Sequence, residues 1–431
     1  MCPSQSSSLA EASAPSINAV KAVVEQHFPD LWPATEAALS TCATLLLADN
    51  SNPVTLILCG AASSGKTTII NMFEGVNVMG NPLMYRSDKF TAAAFVSHSA
   101  QATSERLQKI DLLPKIKNKV LLTPELSTLF RGKPDELERT FTIITRVLDG
   151  QGLMIDSGTH GRRGYEGPHI FAWIGATTPL NGPVWRIMAT LGSRLFFFVL
   201  EGQAKTSTAN LVASLSKEVP HAEAIKQCQG VIGPFLDAVF TKHGGVSAMK
   251  WNRGGDSQAV LWGIGKFAEL LAVMRTTYDK DNKSSPESPH RAYVVLYNLA
   301  RGHALVHGRT ELTAEDVPLI AQVALSSIPQ NRRGVLLAMA KNQGKPVTVS
   351  EAEAALEVSR HTAESVMQEM HWLGVATLIK VGNGVASLLE IKSEWQWFME
   401  GEGLAYLQGT TWQKMGGERA PGTSLPFLNL D

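Results

Sequence analysis

The run Gly60-Ala61-Ala62-Ser63-Ser64-Gly65-Lys66-Thr67 has the spacing G-x-x-x-x-G-K-[ST], and its flanks leave few folds open. Val54–Cys59 before it is an unbroken apolar run of strand length, and residues 68–73 after it read as a helix. A strand entering a glycine-rich turn and a helix leaving it make a cradle of inward-pointing backbone N–H groups. Residues Gly60, Ala61, Ala62, Ser63, Ser64, Gly65, Lys66, Thr67 and Thr68 are therefore expected to wrap the phosphates of a nucleotide such as ATP. Lys66 is placed to reach the β/γ oxygens, and the Thr67 hydroxyl to enter the shell of a Mg²⁺ ion. The plain alternative is a glycine-rich turn with no ligand.

At 431 residues the chain exceeds one ordinary core, so two or three domains are expected. Its 39 basic and 39 acidic side chains cancel, which excludes a polycation. Any nucleic-acid contact must come from local patches, and it should weaken with salt. Cys2, Cys42, Cys59 and Cys228 are scattered, with neither a zinc spacing nor a disulfide framework, so a reduced, cytoplasmic location is expected. The most apolar stretch, residues 195–200, has the length of a buried strand and not of a membrane span, so no membrane association is expected. Residues 1–17, rich in Ser and Ala without a basic start or an apolar core, read as a disordered tail.

Residues 18–50 carry helical periodicity broken near Pro29 and Pro33, which predicts two helices in an N-terminal linker. Residues 51–205 alternate short apolar runs (54–59, 119–123, 170–176, 195–200) with longer mixed ones. That alternation predicts an α/β core with a mainly parallel sheet. Residues 206–329 turn helical, with amphipathic stretches at 259–276 and 291–306 and a capped start at Thr313-Ala314-Glu315-Asp316; the polar residues 280–289 form a loop within them. After Pro329, helices at 333–341, 350–356 and 360–372 precede two apolar runs, 376–381 and 385–391, around Gly382-Asn383-Gly384. Three helices followed by a two-stranded wing predict a small winged-helix domain over residues 330–393, with a C-terminal tail at 394–431. Trp395, Trp397 and Phe398 are expected to pack and not to stack on bases.

Three further segments bear on the phosphate site. The strand ending Val120-Leu121-Leu122-Thr123 runs into Pro124-Glu125, where a second phosphate-site strand presents its acidic pair. Glu125 is expected to orient the water that attacks the γ-phosphate, the alternative being a carboxylate at a helix N-terminus. Pro124 replaces the usual Mg²⁺-supporting aspartate, a role left to Thr123 or Asp88. Next, the strand Trp173-Ile174-Gly175-Ala176-Thr177 ends in hydroxyls, and Thr177 is expected to meet the γ-phosphate or the attacking water. Gly192-Ser193-Arg194 then precedes the Phe-rich strand, where a guanidinium can project toward a neighbouring subunit's nucleotide; Arg186 is the second choice. Arg291 opens a later helix and is expected to reach the phosphates from there. For each arginine the alternative is a solvated surface charge.

This order of elements over residues 54–325 resembles an AAA+ ATPase, with Glu125 as Walker B glutamate, Thr177 as sensor 1, Arg194 as arginine finger and Arg291 as sensor 2. Residues 152–170 resemble the β-hairpin inserted before sensor 1 in minichromosome-maintenance (MCM) helicases and their relatives. Residues 288–291 and 313–317 resemble the lid of those proteins. The resemblance is expected to cover the motor core and not their long zinc-containing N-terminal domain. It implies a P-loop AAA+ parallel sheet with a helical lid subdomain and a winged helix, and a DNA-dependent ATPase of helicase or replication-initiator type, like those of mobile elements. It also implies a homo-oligomer, a hexameric ring in which Arg194 acts across an interface. His160, Arg162 and Arg163 at the hairpin tip would grip single-stranded DNA in the pore. Arg360, His361, Ser365, Gln368 and His371 fall near one side of the third helix of residues 330–393, with Lys380 leading into the wing, a face that could enter the major groove of duplex DNA; Glu364 and Glu369 share that helix, and protein contacts are the open alternative. Two alternatives stay open: a MoxR-like protein-remodelling ATPase with the same hairpin, and an ATP-switched winged-helix regulator or defence protein.

Overall fold

The computed structural model describes residues 14–97, 104–157, 161–192, 194–200, 219–277, 287–380 and 387–399. Its centre is a five-stranded parallel sheet built from β1 (Val54–Cys59), β4 (Met84–Arg86), β5 (Val120–Thr123), β8 (Ala172–Thr177) and β9 (Phe197–Val199), in the order β4-β5-β8-β1-β9. Every residue of β1, β5 and β8 is buried, which is why these strands are continuous apolar runs: helices cover both faces. The order places β8 between β1 and β5, so the ends of three strands distant in sequence lie side by side.

On one face pack α1 (Ile17–His27), α2 (Trp32–Ala43) and α3 (Lys66–Met72), together with later helices; on the other pack α5 (Leu112–Ile116), α6 (Pro134–Val147) and α7 (Gly182–Leu191). The short β2 (Asn77–Val78) and β3 (Asn81–Pro82) pair with each other, and α4 (Ser104–Ile110) precedes α5. The expected hairpin is β6 (Gly152–Ser157) against β7 (Gly161–Glu166), in a register that sets Asp156 opposite Arg162.

The segment expected as a linker is built into the core. Ten residues of α2 are buried, and the helix lies along α10 (His290–Val306) so closely that a Cβ on Gly302 would come 2.2 Å from the Ser40 carbonyl. The hydroxyls of Thr35, Ser40 and Thr41 return to carbonyls one turn earlier in the same chain, so α2 buries them without other partners. Pro33 sits in the first turn of α2 and does not separate two helices there, as suits a residue without an N–H.

The helical region comprises α8 (His221–Lys242), α9 (Gln258–Arg275), α10 and α11 (Val317–Ser326). It closes the edge of the sheet. Ser327 and Ser326 hydroxyls accept the outward N–H groups of Phe197 and Val199 at 2.8 and 3.0 Å, so edge strand β9 has no exposed ladder along those bonds. Arg275, 4% exposed, bridges the Ser327 and Leu195 carbonyls beneath it, and burial pulls its pKa down to about 10.

After Ser327 come α12 (Gln330–Lys341), β10 (Val347–Thr348), α13 (Val349–Leu356), α14 (Arg360–Trp372), β11 (Ala376–Lys380) and β12 (Ser387–Ile391). The three strands form an antiparallel sheet ordered β10-β12-β11. β10 is too short to have been anticipated, and the glycine turn at 382–384 lies outside the described residues. Among the described residues no helix is long and apolar enough to cross a membrane.

Candidate nucleotide site

The loop between β1 and α3 owes its shape to two left-handed residues, Ser63 at φ 61° and Gly65 at φ 89°. Gly65 is needed twice over: its φ disfavours a side chain, and a Cβ there would lie 2.7 Å from Leu31 Cδ2, just before α2. At the loop entrance, a Cβ on Gly60 would meet Ser64 Oγ at 2.6 Å and the Leu200 carbonyl at 2.9 Å. The Lys66 ammonium, 8% exposed, folds back to donate to the carbonyls of Gly60 (2.8 Å) and Ala61 (2.5 Å) and, at 3.4 Å, to Ser64 Oγ. Burial lowers its pKa, opposed by Cys59 and by the Glu125 carboxylate, whose charge reaches it. Ala61, Ala62, Ser63 and Thr67 are exposed along the rim, while the Thr68 hydroxyl lies 3.4 Å from His221 Nε2 at the start of α8.

Beside the loop, Thr177 ends β8 in register with Cys59, and its carbonyl accepts the Gly60 N–H at 3.3 Å. Its hydroxyl is buried and has no hydrogen-bond partner among the described residues. A buried unpaired hydroxyl costs about 1–3 kcal/mol, so this atom marks a place that favours a polar ligand. One strand further on, Glu125 follows β5 by two residues and accepts the Ser127 N–H at 2.7 Å; residues 127–130 form a turn, not a helix.

The two side chains expected to replace the aspartate at Pro124 are both engaged. Thr123 Oγ1 accepts the Trp173 indole N–H at 2.7 Å, and Asp88 accepts Arg86 Nε at 2.8 Å. Arg86 also bonds Asn71 and Glu74, which ties β4 to the end of α3. The oxygen donors left at the strand ends, Thr67 and Glu125, suit a hard cation such as Mg²⁺.

Arg194 and Arg291 do not join this group. The Thr55 hydroxyl donates to the Arg194 carbonyl at 3.0 Å, so Arg194 stands level with the start of β1, roughly 16 Å along the strand from the loop at 3.3 Å per residue. Its Nε donates to Asp149 Oδ1 at 3.2 Å, and Arg291 donates to the same oxygen at 2.5 Å. Arg146 lies 3.9 Å from the other oxygen of Asp149. Arg291 opens α10 at the far end of the sheet, bound to a carboxylate after α6, and so stands away from the phosphate loop of its own subunit. Burial, and next Arg291, lower the Arg194 pKa, with Asp149 opposing them. Arg186 is exposed on α7.

A model of the AAA lid domain matches residues 287–327, which span α10 and α11. That match supports an AAA+ ATPase. The five-stranded parallel sheet with its covering helices fits the AAA+ fold. No curated protein matches the chain.

The remaining candidates are less cationic than their sequence suggests. Arg162 is exposed but donates to Glu166 at 2.7 Å, and Arg360 donates to Glu364 at 3.1 Å. Neither is a free cation, since Glu166 on the same strand holds Arg162 and Glu364, one helical turn on, holds Arg360. Arg163 is half-buried and His361 exposed; His160 lies outside the described residues. His371 is turned away from the exposed face of α14 and accepts the Leu378 N–H at 3.3 Å, while Glu369 pairs with Arg332 at 3.1 Å. Tyr165 anchors the hairpin by donating to Asp111 at 2.8 Å.

Sequence reasoning missed four participants: Leu31, Asp149, His221 and Arg333. Arg333, in the first turn of α12, sits near enough to the loop that its charge, with that of Lys66, opposes the burial that pushes the Cys59 thiol up to about 11. None of the four falls in a motif: packing between distant segments brings Leu31, His221 and Arg333 to the loop, and Asp149 to the two arginines at the far end of the sheet.

Proposed function

We propose that this chain is an ATP-hydrolysing AAA+ motor that works as a homo-oligomeric ring, with DNA as its track. The observation that carries the ATPase reading is the sequence of groups along the carboxyl edge of the sheet. Lys66 follows β1, Thr177 ends the adjacent β8 with its hydroxyl buried and unpaired, and Glu125 follows the next strand, β5. In this reading Lys66 leaves the Gly60 and Ala61 carbonyls for phosphate oxygens and regains hydrogen bonds of charged strength there. Thr177 donates to the γ-phosphate or holds the attacking water, and Glu125 orients that water and accepts its proton. Mg²⁺, held by Thr67 and supported by Glu125, would neutralise charge on the phosphates.

Ring assembly is supported by the far position of Arg194 and Arg291. Arg194, Arg291 and Arg146 gather around Asp149, with Glu287 also acting on Arg194, and these guanidinium groups outnumber the carboxylates at a place that a second subunit's phosphates can meet. Arg333 is the guanidinium on the subunit's own side.

The DNA reading rests on the exposed hairpin with Arg162 and Arg163, and on residues 330–391. Their helices and three-stranded sheet follow the order of a winged helix, with Arg360 and His361 exposed at the start of α14. One observation favours the second reading, a MoxR-like protein remodeller: Glu166 and Glu364 partly cancel the cations that would hold a phosphate backbone. The deciding experiment measures ATPase rate with and without single- and double-stranded DNA, beside particle mass in ATP. Stimulation by DNA of a ring-sized species supports the motor on DNA; a ring stimulated only by unfolded protein supports the remodeller.

A further inference from the structure

The α2–α10 contact contains a cluster that the nucleotide site does not use. His303 and His307 stand four residues apart on α10 and so share a face, with ring centroids 4.4 Å apart. Glu36, from α2, points its Oε1 between them, 2.9 Å from His307 Nε2 and 3.7 Å from His303 Nε2. One donor atom from each residue falls within 4.8 Å of the others. Ligands on a tetrahedral zinc at 2.0–2.2 Å stand about 3.4 Å apart, so the three need only small side-chain rotations to share one ion.

The surroundings are those of a supported ligand set. His303 Nδ1 lies 2.6 Å from Asp316 Oδ1, which directs its Nε2 toward Glu36. Asp316, fully buried, is fixed in turn by both terminal nitrogens of Arg309, at 2.7 and 2.8 Å, and by the Thr313 N–H at 2.8 Å. A carboxylate behind a histidine in this way sets the tautomer and raises the basicity of a metal-binding nitrogen. His303 is 6% exposed, whereas His307 at 27% and Glu36 at 21% leave one side open for an ion to enter and a water to complete the shell.

We propose that Glu36, His303 and His307 bind a divalent transition-metal ion of the zinc class, clamping α2 to the lid helix α10. Both histidines bind as neutral imidazoles, so any protons they carry leave to solvent as the ion enters. The clamp has a structural consequence whatever the motor acts on. α2 begins beside Leu31, which packs on Gly65 of the phosphate loop, and α10 carries Arg291 in its first turn, so the ion would fix the loop relative to the arginine-bearing end of the lid.

The test uses the full chain, stripped with chelator and titrated with Zn²⁺ by calorimetry and with Co²⁺ by visible absorption, beside folded Glu36→Gln and His307→Ala variants. One Zn²⁺ per chain is expected, with affinity falling in each variant by more than about a hundredfold, the upper range for loss of a mere supporting residue. Co²⁺ should give four-coordinate d–d bands without a thiolate charge-transfer band, a readout on the unmodified chain that stands even if a variant fails to fold. Zn²⁺ affinity unchanged in the variants, or no d–d bands at stoichiometric Co²⁺, overturns the proposal and leaves the cluster as a network of ion pairs.

Discussion

Arg194 and Arg291 donate to the same oxygen of Asp149, at 3.2 and 2.5 Å, although they come from the sheet edge and from the first turn of the lid helix. Asp149 binds both guanidinium groups and Glu287 also acts on Arg194, at a point remote from Lys66. In the ring proposed above, the two guanidinium groups would exchange Asp149 for the phosphates of a neighbouring subunit. Arg194→Ala is expected to keep nucleotide affinity and lose turnover by about a thousandfold, at the low end for an arginine finger. Mixing inactive Arg194→Ala and Lys66→Ala proteins should restore hydrolysis. In a random ring about a quarter of interfaces combine an intact Lys66 with an intact Arg194. Steady-state ATPase of the mixture measures this, and activity no higher than either parent rules out action across the interface.

Thr177→Val separates a functional hydroxyl from a structural one. The hydroxyl is buried with no partner among the described residues, so replacing it by a methyl group should raise the unfolding free energy of the nucleotide-free protein by about 1 kcal/mol. Turnover should fall at least about tenfold, the scale of a lost hydrogen bond worth 1.4 kcal/mol in the transition state. Denaturant melts and kcat, taken on the same preparation, check both halves. A stability loss with unchanged kcat would place the hydroxyl in the fold and not in the reaction.

The legible parts of this chain are those where one residue pattern has one physical cause. β1 and β8 could be read because strands covered on both faces must be apolar throughout. The loop could be read because a left-handed turn and a lysine at fixed spacing leave few alternatives. What stayed hidden are contacts between positions far apart in sequence. Arg291 lies 142 residues from Asp149, and nothing near either announces the other. α2 was underrated for a different reason: its Ser and Thr residues look solvent-facing until their hydroxyls are seen to return to their own helix. Glu364 beside Arg360 is visible at helical spacing and counts against tight duplex binding there, whereas Glu166 shares a strand with Arg162, where no helical spacing announces their pair.

Asp49 predicts the acid limit of the fold. It carries Arg301, 1% exposed, and Arg253 on one carboxylate, and it holds the loop that enters β1 against α10. Burial raises its pKa, but the guanidinium groups of Arg253 and Arg301 outweigh that and hold it below the usual aspartate value. A folded pKa below the unfolded one means stability that is present above about pH 3.9 and is lost as pH falls through the folded value. Asp49→Asn should remove that acid-side slope. It should also cost about 1–3 kcal/mol at neutral pH, less than a fully buried pair because solvent screens the exposed third of Asp49. Unfolding free energies from pH 3 to 7 test it, and superimposed values for the two proteins would show that the ion pair contributes nothing.

Glu166 offers the sharpest division between a motor on DNA and one on protein. It lies four residues beyond Arg162 and holds that guanidinium at 2.7 Å, with both side chains exposed. An exposed pair of this kind adds under about 1 kcal/mol to the fold, so Glu166→Gln should leave the melting curve unchanged while freeing a cation on the hairpin. If the hairpin meets a phosphate backbone, the variant should bind single-stranded DNA more tightly at low salt. The slope of log affinity against log salt should steepen by about 0.7, the value for one more contact to single-stranded DNA. Arg162→Ala should move both quantities the other way, and Glu166→Gln combined with Arg162→Ala should match Arg162→Ala alone, because the glutamate acts only through the arginine it restrains. Fluorescence anisotropy with a labelled oligonucleotide over a salt series reads all three variants. Identical slopes across the set would remove DNA from the hairpin and leave a polypeptide as what it grips.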